Sequence, residues 1–135
     1  MSNESHMQAQ ELAVRAEMSE RAGNSSQARK LYLNAAGFER IAYEDIPADK
    51  PRTLGALAVS WLALLYKAKS PTVAPVAYEL LIREELPKSA VIQIKDILAS
   101  TWEEQALHDA GRVLSDSSIE VALRGSMIGA GSAPI

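Results

Sequence analysis

Residues 8–43 read QAQELAVRAEMSERAGNSSQARKLYLNAAGFERIAY, and this stretch decides the fold of the chain. Apolar side chains return in it with a period near 3.6 residues, which predicts α-helix. We expect a first helix from about Gln8 to Ala22 and a second from about Gln27 to Tyr43. Between them, Gly23-Asn24 tolerates a left-handed backbone and ends the first helix. The stretch therefore predicts a helical hairpin.

The second helix shows the period most clearly. Ser25 or Ser26 can cap its start, because a serine hydroxyl accepts a hydrogen bond from the first free N–H groups. Ile46-Pro47 ends it, because the residue before a proline is disfavoured in the α region. The predicted apolar face of this helix consists of Ala28, Leu31, Tyr32, Ala35, Ala36 and Ile41.

Proline and glycine positions predict three further helices. Asp49 is a good N-cap for the third helix, and Pro51 fits its first turn, where a missing N–H costs little. Thr72 is the expected cap of the fourth. The predicted bounds are about Pro51 to Lys69, Val73 to Glu85 and Ser89 to Ala110, ended by Ser70-Pro71, Leu86-Pro87 and Gly111.

The pattern changes at the C-terminal end. Ile119, Val121 and Leu123 alternate with more polar residues, and this period of two predicts a β-strand. We therefore divide the chain into residues 1–7, a disordered tail or cloning remnant; residues 8–111, the helical domain; and residues 112–135, a strand-forming or flexible segment. One strand cannot bury a face by itself, so it can pair with the same strand of a second copy, pair with a continuation of the chain, or stay disordered. For the chain on its own we expect self-association into a homodimer through these three apolar residues.

The first hairpin resembles a tetratricopeptide repeat, in which small residues lie where paired helices cross and large ones wedge between them. The matching positions are Leu12, Ala16, Gly23, Ala28, Tyr32 and Ala35. The resemblance implies that Ala16 and Ala28 form the crossing pair, that Gly23 is the turn and that Tyr32 is the wedge. It also implies an all-α, five-helix antiparallel array.

The third and fourth helices fit the repeat less well. Aligning Ala74 with Ala28 places Tyr78 at the wedge and Lys69 where the turn glycine belongs, at an offset longer than the usual repeat of about 34 residues. The resemblance covers roughly residues 8–87. The stretch from Ile46 to Thr53, with Gly55 and Tyr66-Lys67-Ala68, also resembles a group of uncharacterised bacterial proteins.

Composition excludes several classes of function. The chain has 135 residues and a net charge of -3, with no cluster of Lys and Arg that could follow a nucleic-acid backbone. It contains no cysteine, which excludes disulfides, Cys-ligated zinc and thiol catalysis. The most apolar run, Leu54 to Tyr66, is too short to span a bilayer. We expect a cytoplasmic protein that binds neither nucleic acid nor membrane.

The candidate partner-binding residues are two polar residues and two tryptophans. Arg52 and Thr53 could bind an acidic group of a partner; the alternative is a surface arginine that pairs with Asp49 or Glu44. Trp61 and Trp102 are either core anchors or parts of a partner pocket. A further group, Glu39 with Glu44 and Asp45, is expected to form a solvated face.

No catalytic, cofactor or metal site is expected. Of the two histidines, His6 lies in the expected tail, and His108 has no second ligand near it in the sequence. The sequence favours a non-catalytic protein-protein interaction or scaffold module with an unknown protein partner. The alternative is a regulatory or dimerisation subdomain of a larger protein whose catalytic part lies elsewhere.

Overall fold

The structure is a computed structural model that describes residues 2–116 and the side chains of residues 3–112. It confirms the all-α class: within these residues the chain forms five α-helices and no strand. None of the described helices combines the length and apolarity needed to cross a bilayer. The helices are α1 (Ser2–Arg21), α2 (Ser25–Asp45), α3 (Pro51–Lys67), α4 (Val73–Leu81) and α5 (Lys88–Asp116).

The chain divides into two compact units, residues 1–101 and residues 102–135. In the first unit, α2 packs between α1 and α3, and α3 packs against α4. In the second unit, the described residues continue α5 to Asp116, and the side chains of residues 102–112 are exposed. The predicted strand with Ile119, Val121 and Leu123 lies outside the described residues.

The core of the first unit is built mainly from alanine and leucine. The predicted crossing pair, Ala16 and Ala28, is buried, and so is Ala35. Tyr32 is only 2% exposed, as its predicted wedge position requires. Small residues on facing helices allow close approach, and the large ring fills the space that the crossing leaves.

The two turns of the array share one backbone geometry. Gly23 has a φ of +84° and Lys69 a φ of +56°. In the first turn, the N–H groups of Gly23 and Asn24 donate to the carbonyls of Glu20 and Ser19; in the second, those of Lys69 and Ser70 donate to Tyr66 and Leu65. Both are Schellman C-caps. Gly23 is free to adopt this conformation, whereas Lys69 is not a residue that prefers it.

The first helix begins at Ser2, not near Gln8, so residues 2–7 are helical and the expected tail was wrong for them. Glu4 lies in the first turn, where a carboxylate stabilises the N-terminal end of the helix dipole. His6 also bonds to α2, as described below. These contacts extend the helix beyond its periodic apolar residues.

Three further predicted boundaries differ from the structure. Asn24, whose side chain accepts from the Gln27 N–H, caps α2 in place of a serine. Lys50, without a side-chain cap bond, holds the N-cap position of α3 that was expected for Asp49. Gly111 lies inside α5 and does not end it; a glycine in an exposed helix costs only about 1 kcal/mol, and no proline follows it to enforce a stop.

The fourth helix ends at Leu81, four residues before the expected end at Glu85. Arg83 holds the chain out of the helix there, because its side chain donates to the Tyr43 hydroxyl at 2.7 Å and to Glu85 at 2.9 Å. Tyr78 is 50% exposed and so is not a wedge. The short helix directs Val73, Ala77 and Leu80 inward instead.

The apolar face of α2 also differs from its prediction at one point. The buried positions continue with the helical period through Glu39, Ala42 and Tyr43. Ile41 lies off this stripe and is 48% exposed. A carboxylate therefore occupies a position that the period assigns to the core, and the expected solvated face was wrong for Glu39.

Candidate functional site

A groove runs between α1 and α3 along the first unit, and α2 lies beneath it. We call it the α1–α3 groove. It contains two hollows, of about 400 Å³ and 330 Å³. The first is lined by Asn3, His6, Ile46, Arg52, Thr53, Ala56 and Leu57. The second is lined by Ala9, Gln10, Ala13, Val14, Glu17, Glu39, Ser60, Ala63, Leu64 and Lys67.

The lining residues follow the helical period on both sides. On α1, His6, Gln10, Ala13 and Glu17 return every three or four residues, and on α3 Thr53, Ala56, Ser60, Ala63 and Lys67 do the same. Residues with this spacing share one face of a helix. Each helix thus turns one continuous face to the groove, and the two hollows follow one another along these faces.

Among the described residues, Glu39 is the buried charged residue of the core, and it lines the second hollow. Its side chain is 1% exposed. Ser60 donates a hydrogen bond from its Oγ to Glu39 Oε2 at 2.5 Å, and His6 Nδ1 lies 2.8 Å from Glu39 Oε1. The carboxylate therefore joins three helices, α1 through His6, its own helix α2, and α3 through Ser60. A buried carboxylate requires such partners.

The His6 ring has a partner on each of its nitrogens. Nδ1 bonds to Glu39, and Nε2 lies 3.2 Å from the Gln10 side-chain amide nitrogen. These partners fit the neutral tautomer with its proton on Nδ1, because that ring donates to the carboxylate and accepts from the amide. Gln10 then holds the ring in the orientation that bonds to Glu39.

The cluster does not have the geometry of a serine–histidine catalytic pair. In such a pair the histidine accepts the serine proton. Here Ser60 and His6 both bond to Glu39, and Ser60 donates to the carboxylate. Among the described residues, no three His, Cys, Asp or Glu side chains come together as metal ligands. The arrangement is suited to fixing the helices and shaping the floor of the groove.

Tyr32 and Lys67 connect the outer end of the groove to the core. The Tyr32 hydroxyl donates to Glu20 Oε1 at 3.0 Å. Lys67, which lines the second hollow, places its Nζ 5.7 Å from the centre of the Tyr32 ring, within the range of a cation–π contact. Burial, followed by the hydrogen bond to Glu20, raises the pKa of Tyr32 to about 12.

A second cluster lies one turn further along the buried face of α2, near the C-terminal end of the helix. The Tyr43 and Trp61 rings are tilted, with centroids 5.5 Å apart, a geometry that aromatic pairs favour. Arg83 donates to the Tyr43 hydroxyl, and burial raises the pKa of Tyr43. The hydrogen bond between Arg83 and Glu85 raises the pKa of the arginine and lowers that of the carboxyl.

The structure brings two of the four predicted partner-binding residues to the groove. Arg52 and Thr53 are exposed and line the first hollow. Within the described residues Arg52 pairs with neither Asp49 nor Glu44; Glu44 pairs with Arg40 at 3.0 Å. The two tryptophans lie elsewhere: Trp61 is 7% exposed in the core, and Trp102 is 52% exposed in the second unit.

Three residues of the site, His6, Glu39 and Ser60, were missed in the sequence. Glu39 could have been found, because it lies on the buried stripe of α2, seven residues after Tyr32. A carboxylate at a core position requires donors from neighbouring helices. The sequence alone does not indicate which serine or histidine supplies them, because that choice depends on how the helices pack.

The first unit is thus a helical array with an open groove between α1 and α3. A scan against models of known protein families finds no match, and neither the curated proteins nor the solved structures compared with the chain match it.

Proposed function

We propose that this chain is a non-catalytic protein-interaction module that holds an extended segment of a partner protein in the α1–α3 groove. One observation carries the proposal: the two hollows lie in series and are lined by single continuous faces of α1 and α3. A ligand that follows both hollows must be long and narrow, as an extended peptide is.

The polar side chains that line the α1–α3 groove are suited to binding a peptide. An extended backbone presents N–H and C=O groups that need partners when they leave water. Asn3 and Gln10 on α1 and Thr53 on α3 offer both donors and acceptors along the groove. Ala56 and Ala63 leave room between these polar groups for side chains of the bound segment.

Charged residues at the two ends of the groove would orient the bound segment of the partner. Arg52 lines the first hollow and would bind an acidic group of the partner. Glu17 and Lys67 line the second hollow and would bind a polar or dipolar residue. His6 and Ser60 are engaged with Glu39, which supports binding without chemistry.

The test is selection of peptides followed by binding to variants that fill the groove. Peptides are selected against the wild-type chain from a random library displayed on phage, and their affinities are measured by fluorescence anisotropy. Ala56→Trp and Ala63→Trp should each weaken binding by about tenfold or more, since an indole in either hollow removes the space that the segment occupies. Leu33→Trp is the matched control, because Leu33 is 51% exposed on α2 and lines neither hollow.

Two results would reject the proposal. One is that the library yields no peptide that binds the wild-type chain. The other is that selected peptides bind the Ala56→Trp and Ala63→Trp variants as tightly as they bind the wild type. Circular dichroism of each variant distinguishes a filled groove from a chain that does not fold.

A further inference from the structure

The separation of the two hollows of the α1–α3 groove sets a distance along any ligand that fills both. On α1, the first hollow is lined by Asn3 and His6 and the second by residues 9–17, and the two sets are centred about eight residues apart. On α3, residues 52–57 and residues 60–67 are centred about nine residues apart. Because an α-helix rises about 1.5 Å per residue, the centres of the hollows are about 12–14 Å apart on either helix.

This distance selects one spacing of side chains in an extended segment. Such a segment rises about 3.3 Å per residue, so two side chains four positions apart are separated by about 13 Å. Successive side chains point to opposite faces of the segment, so only an even number of steps directs both of them into the groove. Spacings of two and six positions keep that direction but span about 7 Å and about 20 Å. A spacing of four meets both conditions.

The first hollow has apolar walls and a cation at its outer end. Ile46, Ala56 and Leu57 line it, and Leu57 belongs to the core. A large apolar side chain fits this surface, because its burial removes apolar area of both partners from water. Arg52 comes first among the lining residues of α3 and so lies away from the second hollow. An acidic residue next to the apolar one, on its outer side, would meet this guanidinium.

The far end of the second hollow has two opposite charges. Glu17 and Lys67 are the last lining residues of α1 and α3, and both are exposed. A carboxamide is complementary to this pair, because its nitrogen donates to a carboxylate and its oxygen accepts from an ammonium group. A charged side chain would meet one attractive and one repulsive group. Glutamine has a longer stem than asparagine, so it reaches this end from the centre of the hollow.

We propose that the groove selects a segment in which a large apolar residue and a glutamine are four positions apart, with an acidic residue on the outer side of the apolar one. The inference rests on the proposed function, because it specifies the peptide that the groove holds. The required order runs from the outer end of the first hollow to the far end of the second. A segment that has this order in either chain direction satisfies it.

The test uses peptides selected against the wild-type chain from the random library, with affinities measured by fluorescence anisotropy. The selected peptides should share a large apolar residue and a glutamine four positions apart. Insertion of one serine between these two residues of the tightest peptide should weaken binding by about tenfold or more, because one of the two side chains then points away from the groove. The matched control is the same peptide with the serine added at its end, which should bind as the original does.

Variants of the chain assign the glutamine to the second hollow. Replacement of the peptide glutamine by alanine should weaken binding to the wild-type chain by about fivefold or more. The same replacement should have little effect on binding to Lys67→Met, because the ammonium group that donates to the amide is already absent. Lys30→Met on α2 removes the same charge from an exposed site that lines neither hollow. It should show the full loss that the wild type shows.

The possible results distinguish this inference from the proposed function. Peptides that are blocked by Ala56→Trp and Ala63→Trp but share no spacing of four would overturn the inference and leave the proposed function standing. A shared spacing of seven or eight would also overturn it and assign the groove to a helical ligand, because that spacing covers a similar distance on one helix face. An equal loss on glutamine replacement in the Lys67→Met and wild-type chains would contradict the assignment of glutamine to the second hollow. If no peptide binds the wild-type chain, the proposed function and the inference both fail.

Discussion

Gly55 tests how closely α3 and α5 pack. A Cβ atom at this position would lie 2.8 Å from Cδ and 2.9 Å from Cγ of Pro87, and 3.1 Å from Cβ of Ala90. The proline ring is rigid and cannot turn away. Gly55→Ala should therefore force the start of α5 away from α3, although alanine is the better helix former.

The sign of the effect follows from two opposing contributions. Alanine is favoured over glycine in a helix interior by about 1 kcal/mol. Overpacking of a well-packed contact costs about 1–3 kcal/mol, and contacts below 3.0 Å with a rigid ring belong toward the upper end. We expect Gly55→Ala to lower the free energy of unfolding by about 1–2 kcal/mol. Gly37→Ala, in α2 with no atom within 4 Å of the added Cβ, should raise it by about 0.5–1 kcal/mol.

The assay is urea denaturation followed by circular dichroism at 222 nm for the wild type and both glycine variants. A double-mutant cycle with Pro87→Ala separates the clash from other effects, because removal of the ring should make Gly55→Ala less destabilising. If Gly55→Ala proves as stabilising as Gly37→Ala, α5 does not pack against α3 as described.

Four other predictions concern the buried polar groups and the two turns. Glu39→Leu should lower the free energy of unfolding by about 2 kcal/mol, because the Ser60 and His6 donors lose their acceptor; Glu44→Leu on the exposed side of α2 should change it by no more than about 0.5 kcal/mol in the same urea assay. Tyr32→Ala should lower the free energy of unfolding by about 3–5 kcal/mol. An unchanged denaturation midpoint would contradict the position of Tyr32 as a wedge between the helices. The pKa of Tyr32 is raised from 10.0 to about 12, so the fold favours the protonated hydroxyl. Its contribution to the free energy of unfolding should be complete below about pH 10 and should be lost between about pH 10 and 12. The Tyr32→Phe variant should not show this loss of stability in that pH range. Lys69→Gly should raise the thermal midpoint slightly, since removing a side chain from the left-handed region relieves about 1 kcal/mol, whereas Gly23→Ala should lower it; a destabilised Lys69→Gly would contradict the described turn.

The helices could be predicted from the sequence because they depend on interactions between residues that are close in the chain. The period of α2 and the turn at Gly23-Asn24 depend on neighbouring residues, and both are present in the structure. Boundaries set by distant contacts were not predictable. The end of α4 depends on Arg83 reaching Tyr43, 40 residues away, and the early start of α1 involves a bond from His6 to Glu39, 33 residues away.

The candidate site likewise contains some residues that the sequence could predict and others that depend on contacts between distant parts of the chain. Arg52 and Thr53 could be proposed from the sequence because polar residues at the start of a helix are expected to be exposed. The tryptophans could not be assigned, since the helical period places Trp61 and Trp102 on apolar faces alike, and only packing shows that the first is buried and the second half exposed. The floor of the groove requires three helices to meet, and no single stretch of sequence contains that information.

The extra length of α2 explains why this groove has a charged floor. The two turns of the array are offset by 46 residues, Gly23 to Lys69, whereas the repeat that the first hairpin resembles has about 34. The extension of α2 through Asp45 contains Glu39. If α2 ended at the usual point, His6 and Ser60 would lack their common acceptor, and the second hollow would lose its buried carboxylate. The part of the chain that departs most from the repeat pattern is thus the part that ties α1 to α3 beneath the groove, so shortening α2 should affect the groove before it affects the hairpin.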